Sequence, residues 1–185
     1  MPSLHNPQDK QELQIQLKEL AEEKFGFVPY EWQIDITVAI LHGQDTICIA
    51  GTGSGKTLLF ALPGLLTGKV TLVLSPLNAL EEDQALRFKR QGLRALALNS
   101  ENFEKSRLES KPWKPLLSNT KFLEQLGLVA IDEAHCIPQW GQSSGKEKAF
   151  RPAWGDIGNI CSLVPSTVPF LAVSATLPPT VLTEV

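Results

Sequence analysis

The chain has 185 residues, 43% of them hydrophobic and 20% charged, which suits one domain with a substantial core and is too short for two domains of ordinary size. That balance excludes the disordered and collagen-like classes. Against 20 Asp and Glu stand 17 Lys and Arg, a formal net charge of −3, so no molecule-wide basic field exists and any polyanion contact must be local. Cys48, Cys136 and Cys161 are widely spaced, form no CxxC pair, and read as reduced, buried thiols of an intracellular protein. The opening MPSLHNPQDKQELQ has no apolar h-region and no uninterrupted apolar stretch is long enough to span a bilayer, so neither secretion nor a membrane span is expected.

Taken in chain order, Asp9 to Phe25 carries Leu13, Leu17, Leu20 and Ala21 at helical spacing, with Gly26 placed to end the helix. A second helical pattern runs from Glu31 to His42 through Trp32, Ile36, Ala39 and Ile40, and stops at Gly43. The period then changes. Short apolar runs at 46–50, 70–74, 96–98, 128–131 and 170–173, separated by helix-length polar stretches, predict buried parallel strands joined by crossover helices. The expected architecture is α/β, with residues 1–26 as an amphipathic helical lead-in and 27–185 as the domain proper. Residues 142–148, QSSGKEK, form the most loop-like insert. Residues 178–185, PPTVLTEV, read as the first turn of a helix that the chain does not complete.

AGTGSGKT at 50–57 follows a strand and precedes an apolar helix from Leu58 to Leu66, the context in which a P-loop works. Glycines 51, 53 and 55 allow backbone N–H groups to converge, and the helix N-terminus adds partial positive charge, so an anion is expected there. Thr52, Gly53, Ser54, Gly55, Lys56 and Thr57 are the candidate nucleotide-binding residues. Lys56 would reach the β- and γ-phosphates and the Thr57 hydroxyl would take a magnesium ion. A plain Gly/Ser turn is the competing reading, but it leaves the register of Lys56 and Thr57 unexplained.

Leu128 to Ile131 delivers Asp132-Glu133-Ala134-His135 at a strand's C-terminal end, where open α/β sheets bind ligands. Asp132 would hold magnesium and Glu133 would polarise the water attacking the γ-phosphate. An Asp-Glu pair alone is usually a solvated loop; behind a P-loop it is a catalytic pair. His135 reads as an ordinary loop histidine or as a coupling residue.

The P-loop, the DEAH box and Ser174-Ala175-Thr176, in that order, resemble the first RecA-like domain of superfamily 2 helicases. The surrounding text is similar to the RecQ family: Phe25-Gly26-Phe27 before Gln33, Ser75-Pro76-Leu77 with Asp83-Gln84, Leu98-Asn99-Ser100, DEAHCIPQWG at 132–141 and Phe150-Arg151-Pro152. The resemblance implies a three-layer RecA-like P-loop NTPase domain with a mainly parallel central sheet. It implies an ATP-dependent 3′-to-5′ DNA helicase of repair and recombination that uses ATP and Mg²⁺. It also implies single-stranded or partly duplex DNA as partner, a second RecA-like domain in full-length members, and a nuclear location.

By position, the resemblance makes Gln33 the reader of the adenine edge and Phe27 the ring against the base. Ser75, Pro76 and Gln84 would touch the DNA backbone, or else form a strand-to-helix cap. Trp140, Phe150 and Arg151 would sense single-stranded DNA by stacking and charge, with a buried tryptophan as the alternative. Ser174 and Thr176 would link nucleotide state to domain closure.

The match departs from the family pattern in four places. Tyr30 stands where the family has arginine. Residues 101–125 offer no apolar strand where the family has one, and 142–149 separate Trp140-Gly141 from Phe150. The arginine finger of a second motor domain is not in this chain, and such an arginine contributes on the order of 10³ to 10⁵ in rate. Slow ATP turnover by the chain alone is therefore expected, and a non-catalytic nucleotide-binding remnant or regulatory module is the alternative function.

Overall fold

The computed structural model describes residues 7–75, 78–95, 114–136 and 158–176. Its helices are α1 (Pro7–Phe25), α2 (Glu31–Leu41), α3 (Leu58–Thr67), α4 (Asn78–Arg90), α5 (Lys114–Leu117), α6 (Thr120–Gln125) and α7 (Gly158–Cys161). Its strands are β1 (Thr46–Ile49), β2 (Val70–Leu74), β3 (Leu126–Ile131) and β4 (Phe170–Ser174). Each apolar run expected as a strand is one, except 96–98, which lies outside the described residues together with the insert 142–149 and the segment 177–185. The stretch 114–125, where no apolar strand is expected, is helical, with the Asn119 side chain accepting from the Phe122 N–H at 3.2 Å to start α6.

The strands form one sheet in the order β1-β4-β3-β2, with every pairing parallel. The alternation of side chains explains why helices cover both faces. Leu128 and Ala130 of β3 and Leu171 and Val173 of β4 join Ile40 of α2 and Leu59 and Phe60 of α3 in one buried cluster. Val129 points the other way, into a cluster with Leu117, Ile160, Val164 and Val168. Three layers result. A register shift between Val70 and Thr71, opposite Leu126 and Leu128, leaves Gly127 unpaired and puts Leu126 in the same cluster as Val129.

The lead-in helix α1 adds Leu17 and Ala21, both fully buried, to a cluster with Ile34, Val38, Leu58 and Leu62, so it shares core with α2 and α3 across the boundary expected at residue 26. Cys48 and Cys136 are buried and free, as expected; Cys161 is free but exposed, a correction, because Ile160 takes the inward position on the short α7. No described helix is long and apolar enough to cross a membrane.

The topology decides where chemistry can happen. Parallel strands place the ends of β1, β3 and β4 at one sheet edge, and β4 lies between β1 and β3. The loop leaving β1 and the turn leaving β3 are thus two strand spacings apart, about 10 Å.

Candidate nucleotide site

The loop 50–57 leaves β1 and turns into α3 through Gly53 at φ 81° and Gly55 at φ 82°, left-handed conformations that favour glycine. A Cβ built on Gly51 or Gly53 would meet none of the described residues within 4 Å, so that side of the loop is open to them. On Gly55 a Cβ would lie 2.7 Å from the Gln33 Nε2. Lys56 Nζ donates to the carbonyls of Ala50 at 2.7 Å and Gly51 at 2.8 Å, so the ammonium is folded against its own loop. Thr57 has helical backbone angles, φ −58° and ψ −25°, immediately before α3, and Thr52 is exposed. The Ser54 hydroxyl is buried and has no hydrogen-bond partner among the described residues.

Gln33 is 2% exposed and braces this loop. Its Nε2 donates to the carbonyls of Gly55 at 3.0 Å and Ser54 at 3.3 Å, while its Oε1 accepts from the Tyr30 N–H at 2.9 Å and closes the first turn of α2. Both ends of the amide are engaged inside the protein. Phe27, Val28, Tyr30, Gln33 and residues 53–55 line a pocket of about 370 Å³ beside the loop. Phe27 is half exposed and its ring centroid lies 6.0 Å from that of Phe25. Tyr30, which the sequence marks only as a departure from the family, is part of this wall; its closeness to Phe27 in the chain is the signal that could have found it.

The turn after β3 is fixed from several directions. Asp132 is 9% exposed; its Oδ1 accepts from the Glu133 N–H at 3.0 Å and its Oδ2 from the Gln84 Nε2 at 2.9 Å. Glu133 adopts φ 49°, a left-handed conformation costly for a non-glycine residue, of the kind that gathers at functional sites. The Ala134 N–H donates to the Val173 carbonyl at 2.9 Å, tying the turn to β4.

His135 Nδ1 lies 2.9 Å from Ser174 Oγ and 3.3 Å from Glu133 Oε2. The Ser174 hydroxyl donates to the Thr176 carbonyl at 2.8 Å and accepts from the Thr176 N–H at 3.2 Å. With the hydroxyl proton so committed, His135 carries its own proton on Nδ1 and donates it. His135 Nε2 lies 3.5 Å from the Cys136 Sγ. Burial, with the charges of Glu133 and Asp132 adding, pushes that thiol's pKa up, so it stays protonated and able to donate. Burial also pushes up Cys48, partly opposed by Lys56.

Ser174 touches both halves of the site. Its carbonyl accepts from the Ala50 N–H at 3.1 Å, at the root of the loop, while its hydroxyl holds His135. Among the residues expected at a DNA surface, Ser75 is buried with its hydroxyl unpartnered among the described residues, and Gln84 is turned onto Asp132. Pro76, Trp140, Phe150 and Arg151 lie outside the described residues. The Gln84 contact was missed from the sequence, since nothing local links residues 48 positions apart.

Comparison with known proteins places the chain in a family. Residues 30–185 match the DEAD/DEAH box helicase family model. The chain is 36% identical over 169 residues to the probable ATP-dependent DNA helicase RecS of Bacillus subtilis, covering 82% of this chain and 33% of that protein. It is 32% identical over 171 residues to the ATP-dependent DNA helicase RecQ of Haemophilus influenzae, covering 82% of this chain and 26% of that protein. It is also 32% identical over 166 residues to the bifunctional 3′-5′ exonuclease/ATP-dependent helicase WRN of Mus musculus, covering 82% and 11% respectively. The chain therefore spans a third or less of the length of these curated relatives. With a parallel sheet whose one edge gathers the P-loop, the DEAH turn and Ser174, the chain belongs to the DEAD/DEAH box helicase family, on its RecQ-like branch.

Proposed function

We propose that this chain is the ATP-binding motor domain of a RecQ-type 3′-to-5′ DNA helicase, binding ATP with Mg²⁺ and responding to single-stranded DNA. The observation that carries the reading is Ser174, whose carbonyl holds the root of the P-loop while its hydroxyl holds His135 of the DEAH turn. A single residue on β4 thereby ties the phosphate loop to the catalytic acids.

The residues present fit the ligands. Among the described residues nothing closes the loop at Gly51 and Gly53 and nothing pairs with the Ser54 hydroxyl, and an aromatic-walled pocket adjoins the loop. Lys56 exchanges the Ala50 and Gly51 carbonyls for the β- and γ-phosphates, trading neutral acceptors for charged ones. Among the described residues no three His, Cys, Asp or Glu side chains gather into a cage, so Asp132 and the Thr57 hydroxyl would hold magnesium together with the phosphates. When bound, the ion neutralises charge that develops on the phosphate oxygens. Glu133 orients the attacking water and accepts its proton, with its carboxylate held beside His135. Phe27 stacks on the base, and Gln33 reads its edge only by giving up bonds to the loop and to α2.

Assayed alone, the chain turns ATP over slowly, because the second RecA-like domain of such motors supplies the arginine finger. The test is equilibrium binding of a fluorescent ATP analogue with Mg²⁺, for the wild type and Lys56→Ala, with and without single-stranded DNA. Binding that Lys56→Ala abolishes and that DNA alters is the expected result. Absence of binding in a folded sample would overturn the proposal, and binding indifferent to DNA would leave a nucleotide-binding module without a motor role.

A further inference from the structure

Gln84 has so far only a place, at 2.9 Å from Asp132 Oδ2. Helix α4 leaves β2 at the same sheet edge as the DEAH turn, and β2 pairs with β3 at Leu74 and Ile131, one residue before Asp132. Phe88, one helical turn after Gln84, packs against the main core cluster, and Ala85 is buried. Leu86, Arg87, Lys89 and Arg90 are exposed. Gln84 therefore belongs to the inward face of α4, away from its basic outer face.

We infer that Gln84 is a positioning residue that fixes the Asp132 carboxylate for magnesium, an inference that rests on the ATP–Mg²⁺ reading above. Asp132 has one oxygen held by the Glu133 N–H and the other by Gln84, so its carboxylate is locked at both ends. A free aspartate must lose rotamer freedom on taking a cation; this one has lost it already. The donor's chemistry fits the task. A lysine or arginine at this place would bring a positive charge that competes with the cation, whereas a neutral amide orients the carboxylate and leaves its charge available. Bonds from such outer residues to metal-holding side chains contribute about 10- to 100-fold in metal affinity.

The test is a magnesium titration of fluorescent ATP-analogue binding to the wild type, Gln84→Met and Gln84→Asn. Methionine keeps the side-chain length and removes the donor, and asparagine keeps the amide but withdraws it by one methylene. Both variants should raise half-saturating Mg²⁺ about tenfold. Analogue binding in EDTA and affinity for a single-stranded oligonucleotide should stay at wild-type values, and the thermal midpoint should fall only by the small amount that one lost hydrogen bond implies. An unchanged magnesium response, with or without weaker oligonucleotide binding, would overturn the role for Gln84 alone. A folded wild type that binds no nucleotide at any magnesium concentration would overturn the proposed function and this role together.

Discussion

The loop 50–57 is bonded mostly to itself and its near neighbours, whereas the turn 132–136 is bonded to distant parts of the chain. Lys56 reaches carbonyls five and six residues back, and Ser54 N–H reaches the Gly51 carbonyl at 3.2 Å. Asp132 depends on Gln84, 48 residues away, and His135 on Ser174, 39 residues away. The first region is mainly a local device that a short sequence can specify, braced from outside by Gln33 at Ser54 and Gly55 and by Ser174 at Ala50. The second exists only once β2, β3 and β4 lie side by side. A defect in packing should therefore reach the acids before it reaches the phosphate loop.

The largest effect tests the local half. Lys56→Ala should abolish fluorescent ATP-analogue binding while leaving the thermal melting curve nearly in place, since the lost bonds go to one exposed and one half-buried carbonyl of its own loop. A large fall in melting temperature would break the comparison by making the lysine a structural strut. Next, Glu133→Gln should keep analogue binding and slow single-turnover phosphate release by about 10²- to 10⁴-fold, the span of a lost acid–base group. Retained turnover would move the catalytic role elsewhere.

A subtler separation comes from Ser174→Ala. The backbone bond from Ala50 N–H survives, but His135 and Thr176 lose the hydroxyl, which should cost about 1 kcal/mol of stability by urea denaturation. Analogue affinity should stay within a few-fold while DNA-dependent turnover falls. Equal damage to binding would show that the two halves are not separable.

The smallest effect concerns the thiols. The Cys48 and Cys136 pKa values are raised by burial, so their neutral, unreactive form persists to higher pH than that of an ordinary thiol. At pH 8 a thiol reagent should modify exposed Cys161 first and the other two only on unfolding, as mass spectrometry of the labelled protein would show. By linkage, protonation of the two buried thiols stabilises the fold below their unfolded pKa, and that contribution is lost as pH rises through the folded values.

Much of the fold was legible because its signals are local. Apolar runs at 46–50, 70–74, 128–131 and 170–173 mark parallel strands, of which β3 and β4 are buried as expected while β1 and β2 are not, with Ile47, Ile49 and Val70 exposed; helical spacing marks α1 and α2 within a residue or two of their observed ends. The small region 114–125 was not legible as structure: α5 and α6 have four and six residues, too short for a period to declare itself. The sequence marks Gln33 as a candidate, but its engagement with the loop was not legible, because Gly55 and Ser54 are over 20 residues away.

The sequence by itself determined the glycine-rich loop and the helicase family, because glycines, lysine and threonine in fixed register act through backbone conformations that neighbouring residues impose. Only the tertiary structure decided which side chains hold the acids. Sheet order β1-β4-β3-β2 sets Ser174 between loop and turn and brings α4 over Asp132, and hydrogen bonds between side chains form only when packing has closed the distance.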